Sequence, residues 1–291
     1  MTRIADLLSA GPTLSFEFFP PKNDEAERQL EKTIYELAPL RPSFVSVTYG
    51  ALGSTRDRTK DIVVQVNRDQ PFPAMAHLTC VGHSRADIVS LLDEYQDAGV
   101  HNILALAGDP PADGSDPGGE FTYAMELVEL VRSHPAGFSV GVAAHPELHP
   151  RSGTDRVSDR RHMAAKLEAA DFGITQFFFR AEDYLQMVDE LADAGSTKPV
   201  LPGIMPAVSV AGLVRMAAMN KAAIPEAVLA RLDAVADDVD EVRRIGVEVS
   251  TELGQSLLDA GAPGLHLYAL NRSASVLEIV ANLEMDFVLA G

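Results

Sequence analysis

Residues 13–21 read Thr-Leu-Ser-Phe-Glu-Phe-Phe-Pro-Pro, and Glu17 is the one ionisable side chain among them. Leu14, Phe16 and Phe18 alternate with Ser15, Glu17 and Phe19, the period of a strand with two unlike faces. Pro20 and Pro21 cannot continue a ladder, so the strand ends just beyond Glu17. Desolvation at the exit of an aromatic-rich strand raises a carboxyl pKa, and a carboxyl that keeps its proton near neutral pH serves as a general acid. The alternative is a solvated glutamate on an edge strand.

Other polar side chains stand at the ends of apolar runs: Thr48 and Tyr49, His77 and Thr79, Asp109, His145, Gln176, and Asn271 with Arg272. Polar residues at nearly every run's end suit an active site better than they suit solubility alone. Taken singly, His77 reads as a core histidine bonded to a backbone carbonyl. His145 and His149 are four apart, but Pro146 and Pro150 oppose a helix and the order is not HExxH, so no metal site is expected. No lysine ends a run, which argues against Schiff-base chemistry. Arg56, Arg58 and Lys60 either face a phosphate or simply begin a solvated helix.

The elements that must position these groups alternate regularly. After a short amphipathic helix ending near Gly11, strand-like runs fall at 13–19, 44–49, 74–80, 102–108, 139–145, 174–179, 200–206 and 264–270. Helical patterns lie between them. Asp24 is the expected N-cap of the first, with Glu27 three residues on and Ala26, Leu30, Ile34 and Leu37 as its apolar stripe. Ser84 caps another, which Gly99 stops. The segment 181–194 repeats the scheme and closes at Gly195, and 207–260 has room for two or three helices, one beginning after Pro225. Eight near-continuous apolar strands alternating with helices predict an α/β fold, a (βα)8 TIM barrel with a short extra N-terminal helix. The runner-up is an open doubly wound sheet, weakened because no glycine-rich phosphate loop follows any strand. Residues 110–119 read as a mobile loop, and no linker or repeat divides the chain, so 1–291 is expected to be one catalytic barrel domain.

Composition narrows the partners. A formal net charge of −18 argues against nucleic acid and anionic membranes, so an anionic ligand must meet local bases. A single cysteine, Cys80, excludes an internal disulfide and a thiolate metal cluster. No run approaches a membrane span and no secretory core opens the chain, which predicts a cytoplasmic protein.

Several stretches resemble methylenetetrahydrofolate reductase of the bacterial type: SFEFFPPK (15–22), FVSVTYGALGSTRDRT (44–59), AHLTC (76–80), GDPP (108–111), HPELHP (145–150), ITQFFF (174–179), LPGIMP (201–206) and LHLYALNR (265–272). They run in order over nearly the whole chain. The resemblance implies a (βα)8 barrel that reduces 5,10-methylenetetrahydrofolate to 5-methyltetrahydrofolate with NADH or NADPH as hydride source, normally through FAD. It makes Glu17 the general acid that opens the five-membered ring to an iminium. It sets Asp109 beside the pterin, Gln176 against folate and nicotinamide, and Arg272 on the folate side. It assigns Thr48, Tyr49, His77, Gly108, His149, Asp159 and Lys166 to the flavin groove.

The departures from that pattern run in one direction. Ala107 and Ala165 stand where the family carries arginines, and His145 where it carries tyrosine. Gly212 and Met216 replace a glutamine and a phenylalanine on the folate side. With cations missing opposite a diphosphate, FAD is expected to bind weakly or not at all, and hydride to pass directly from nicotinamide. The alternatives are an FAD-dependent ping-pong version of the same reaction and a catalytically silent folate-binding barrel. The expected partners are a reduced folate and a nicotinamide dinucleotide, with a homo-oligomer left open.

Overall fold

The computed structural model describes residues 2–49, 56–109, 118–150 and 152–289. Among them are nine strands: β1 (Thr13–Phe18), β2 (Phe44–Val47), β3 (Ala74–Thr79), β4 (Asn102–Leu106), β5 (Ser139–Ala144), β6 (Phe172–Thr175), β7 (Val200–Leu201), β8 (Gly203–Ile204) and β9 (Gly264–Tyr268). All pair in parallel in one sheet, in the order β7-β6-β5-β4-β3-β2-β1-β9-β8. β7 and β8 are halves of one segment interrupted at Pro202, so the two ends of that order meet and the sheet closes. Proline has no N–H for the ladder, but the Pro202 carbonyl accepts from His266 N at 3.0 Å.

The eight expected runs are thus eight staves, the seventh broken by its proline. The sixth differs most from expectation. It starts at Phe172 rather than 174 and ends at Thr175, because Phe177 and Phe178 are buried outside the ladder. Phe178 stacks on Tyr184 at 5.9 Å, and Phe177 joins Met205, Leu213 and Ile245. Apolar content there marks packing against helices rather than pairing.

The helices are α1 (Ile4–Ala10), α2 (Asp24–Leu37), α3 (Arg56–Asp69), α4 (Arg85–Asp97), α5 (Ala124–Ser133), α6 (Arg156–Ala169), α7 (Ala181–Asp193), α8 (Val210–Asn220), α9 (Glu226–Asp233), α10 (Val239–Asp259) and α11 (Ala274–Asn282). The cap of α2 is Asn23, one residue before the expected Asp24, its Oδ1 accepting from Ala26 N at 2.9 Å. Ser84 caps α4 with a reciprocal bond to Asp87, and α9 begins after Pro225, both as expected.

β1 shows how the alternation is used. Leu14, Phe16 and Phe18 join the large core between strands and helices. The barrel interior holds a separate cluster of Phe44, Met75, Leu104, Phe172, Ile174 and Leu201, closed by Ile4 of α1. Ile4 N donates to Asn102 Oδ1 at 2.9 Å and Ala5 N to Ser139 Oγ at 3.1 Å. Asn102 and Ser139 open β4 and β5, so α1 plugs the N-terminal end of the barrel and leaves the other end for chemistry.

Candidate active site

Glu17 is 6% exposed and stands opposite Ser46 of β2 and Tyr268 of β9 in register. Its Oε2 is 3.3 Å from His266 Nε2, 3.3 Å from His77 Nε2 and 3.5 Å from the Ser46 hydroxyl. Three strands therefore deliver polar groups to one oxygen. Burial pushes the carboxyl pKa up, but His77 and His266 together outweigh it and draw it down to about 2. This corrects the expectation that desolvation alone leaves Glu17 protonated. Two imidazoles, one of them fully buried, favour the carboxylate instead.

His266 lies inside the barrel, stacked on Phe44 at 6.1 Å and edge-on to Tyr268 at 5.6 Å. Tyr268 OH donates to Thr175 O at 2.8 Å, and burial with the nearby Glu17 charge holds the phenol well above its ordinary pKa. Gly203 leaves room for that ring, since a Cβ there would meet Tyr268 Cε2 at 2.8 Å. The sequence reading missed His266, Ser46 and Tyr268 as site residues. The available signal was parity: a histidine in the middle of an apolar strand whose neighbours carry serine and glutamate on the same face.

At the exit of β5 a second polar cluster forms. Asp159 Oδ1 accepts from His149 N at 3.1 Å and Ser152 Oγ at 2.6 Å, and its Oδ2 pairs with Arg160 at 2.9 Å. Arg160, almost fully buried, also bonds the carbonyls of His145 and Pro146 and Glu190 Oε2. These two residues hold the loop before α6. Lys166 donates to Ala143 O at 2.7 Å, and burial lowers its pKa to about 8 against the pull of Asp159. His145 meets His149 edge to face at 4.8 Å; burial, with His149 and Lys166 adding to it, lowers its pKa to about 3.

The remaining expected residues ring the same end. Thr48 N donates to Phe18 O, and its carbonyl accepts from Thr59 Oγ1. Tyr49 OH lies 3.3 Å from His83 Nε2. Gly108 has φ +86°, and a side chain there would run into Val81. Asp109 is exposed and is the last described residue before 118. Gln176 donates to Asn220 Oδ1 at 2.9 Å, tying the exit of β6 to the end of α8. Arg272 is exposed, next to Asn271 at the exit of β9. Arg58 donates to Pro21 O at 2.7 Å and Lys60 pairs with Glu94 at 2.6 Å. The Arg56 side chain, residues 50–55 and residues 110–117 of the expected mobile loop lie outside the described residues.

A closed parallel barrel with titratable groups gathered at the C-terminal ends of its strands defines an enzyme of the (βα)8 class. A family model described as methylenetetrahydrofolate reductase matches residues 2–284. The 5,10-methylenetetrahydrofolate reductases of Pectobacterium carotovorum and Escherichia coli are each 34% identical over 261 residues, covering 89% of this chain and 86% of theirs. The maize protein named methylenetetrahydrofolate reductase (NADH) 1 is 34% identical over 283 residues, 92% of this chain and 48% of its own length. A Clostridium thermocellum structure described as binding two copies of 5-methyl-5,6,7,8-tetrahydrofolic acid superposes with a TM-score of 0.67 at 13% identity, over 97% of both chains. The chain belongs to the methylenetetrahydrofolate reductase family.

Proposed function

We propose that this barrel reduces 5,10-methylenetetrahydrofolate to 5-methyltetrahydrofolate, with a reduced nicotinamide as hydride donor and Glu17 as the acid. Family membership supports the reaction, and the NADH named for the maize relative supports the donor class. The observation that carries the mechanism is Glu17 itself: buried at the strand exits, with two imidazoles on one oxygen. A binding protein has no use for such a group there. Protonating a nitrogen of the five-membered ring breaks a ring C–N bond, and the second nitrogen forms an iminium whose carbon accepts hydride. The Glu17 carboxylate left behind then faces a cation, which lowers the barrier by charge stabilisation. Asp109 would accept from the amino-pyrimidine edge of the pterin, with Gln176 and Arg272 orienting the folate.

The residues present fit FAD poorly. Ala107 and Ala165 supply no cation, and Arg160 is committed to Asp159, Glu190 and loop carbonyls. The Lys166 ammonium faces the Ala143 carbonyl, and burial disfavours its charge. Asp159 has both oxygens engaged by protein groups. A diphosphate needs partners, and each missing charge-assisted bond weakens binding about ten- to a hundredfold. Direct transfer from dihydronicotinamide to the iminium carbon therefore agrees best with this site, the two held at near-attack distance.

The test of the acid is Glu17→Gln. Turnover in an NADH-oxidation assay should fall about 10²–10⁴-fold, the usual worth of a positioned acid, with the fold kept and folate affinity little changed. Turnover within a few-fold of wild type would remove Glu17 from the mechanism.

A further inference from the structure

Beneath Glu17 runs a hydrogen-bond chain through His266 and Ser15 to the Leu265 carbonyl. Ser15 Oγ lies 3.2 Å from Leu265 O and 2.8 Å from His266 Nδ1. A carbonyl only accepts, so the Ser15 hydroxyl proton goes to Leu265 and the Ser15 oxygen receives Nδ1–H from His266. The ring sits between Phe44 and Tyr268 with no exposure, which fixes its orientation. Nε2 is left as the variable nitrogen, and it faces Glu17 Oε2 at 3.3 Å, nearer than the Ser46 hydroxyl at 3.5 Å.

We propose that His266 is a positioning residue that stores the proton Glu17 delivers, one proton being shared between His266 Nε2 and Glu17 Oε2. The inference rests on Glu17 being the acid. In the resting enzyme the proton sits on Nε2 beside an ionised carboxylate, which agrees with the low Glu17 pKa and reconciles it with an acid's role. During reaction the Nε2–H bond breaks, the proton passes through Oε2 to the ring nitrogen of the substrate, and the C–N bonding pair goes to that nitrogen. His266 is left neutral with Nδ1–H still on Ser15, and Glu17 is left anionic opposite the iminium. Hydride from the nicotinamide completes the methyl group, and a proton from solvent restores the pair. The groups facing Glu17 are Ser46 from β2, His77 from β3, and His266 and Tyr268 from β9. His77 Nε2 is as near to the carboxylate as His266, at 3.3 Å, and acts with it to hold the Glu17 pKa down.

The test is nitrogen NMR of the intact protein labelled at its eight histidines, with His266 assigned through His266→Gln. At neutral pH both His266 ring nitrogens should be protonated in wild type. In Glu17→Gln, Nδ1 should keep its proton and Nε2 lose it. A bare Nδ1 in wild type, or an Nε2 indifferent to Glu17→Gln, overturns the proposal. Because His266 variants risk misfolding, Ser15→Ala supplies the kinetic arm. It should lower kcat about tenfold with KM nearly unchanged and move the alkaline limb of the kcat–pH profile to lower pH. Ser15→Thr, which retains the hydroxyl, should restore both, and an unmoved limb in Ser15→Ala counts against the relay. An active Glu17→Gln enzyme removes the acid reading itself. An inactive one with unchanged His266 signals removes only the relay.

Discussion

At Glu17 burial and two imidazoles act in opposite directions, and the imidazoles win. The consequence is a pH dependence with a definite sign. The folded carboxyl titrates near 2 and the unfolded one near 4.5, so as pH falls the unfolded chain takes up this proton first. Glu17 therefore contributes stability that is fully present above about 4.5 and is lost as pH falls through about 2. Urea unfolding of wild type and Glu17→Gln at pH 6 and at pH 3 measures it. The stability of wild type relative to the variant should shrink on acidification; equal losses in both proteins would contradict the assigned pKa.

Among the elements, the exit of β9 governs how firmly the site is held. Leu270 and Asn271 both adopt left-handed backbone, with φ 52° and 53°. The Asn271 amide grips Phe19 in both directions, accepting from its N at 2.9 Å and donating to its O at 2.8 Å, while Thr33 Oγ1 bonds the Asn271 carbonyl at 2.9 Å. Phe19 follows Glu17 by two residues, so this clamp sets the direction in which β1 leaves the barrel. Asn271→Ala loses both bonds and a residue suited to that conformation. It should cost about 1–3 kcal/mol of stability and lower kcat more than it raises KM; a variant with wild-type melting and wild-type kcat would show that the clamp is idle. Such features mark the limit of what the sequence discloses. The two-faced pattern of Leu14, Phe16, Phe18 against Ser15 and Glu17 announced a strand and its facing, because burial on one side leaves a period of two. It could not announce that His266, about 250 residues on, closes against Ser15, since that pairing exists only once the barrel shuts. Nor could it say that Pro202 splits a stave, because the missing N–H is tolerated only where the neighbouring strand still donates to the proline carbonyl, as His266 N does. The apolar run at 174–179 was equally silent about Phe177 and Phe178 packing on helices, for hydrophobicity records burial and not its partner.

Over the whole molecule, the barrel keeps its two ends for different tasks. The N-terminal end is sealed by α1, with Ile4 fully buried among Phe44, Met75, Leu104 and Phe172. Ile4→Ala removes a buried side chain from a closed floor and should lower stability by about 2–5 kcal/mol while leaving kcat near wild type; a large loss of kcat at unchanged stability would break that separation of roles. The C-terminal end gathers Glu17, His77, Gln176 and the β5 exit cluster, and no described helix is long and apolar enough to cross a membrane. In the reading proposed above, what unites this end is a site that protonates a folate and receives hydride from a nicotinamide while gripping a flavin diphosphate poorly. The measurement that bears most directly on this account uses nicotinamide dinucleotide carrying deuterium at the transferable C4 position, with protein freed of flavin and no flavin added. Mass analysis of the product should find one deuterium in the methyl group of 5-methyltetrahydrofolate, undiluted by solvent hydrogen. No product until FAD is supplied, or a methyl group that has taken its hydrogen from water, would contradict it.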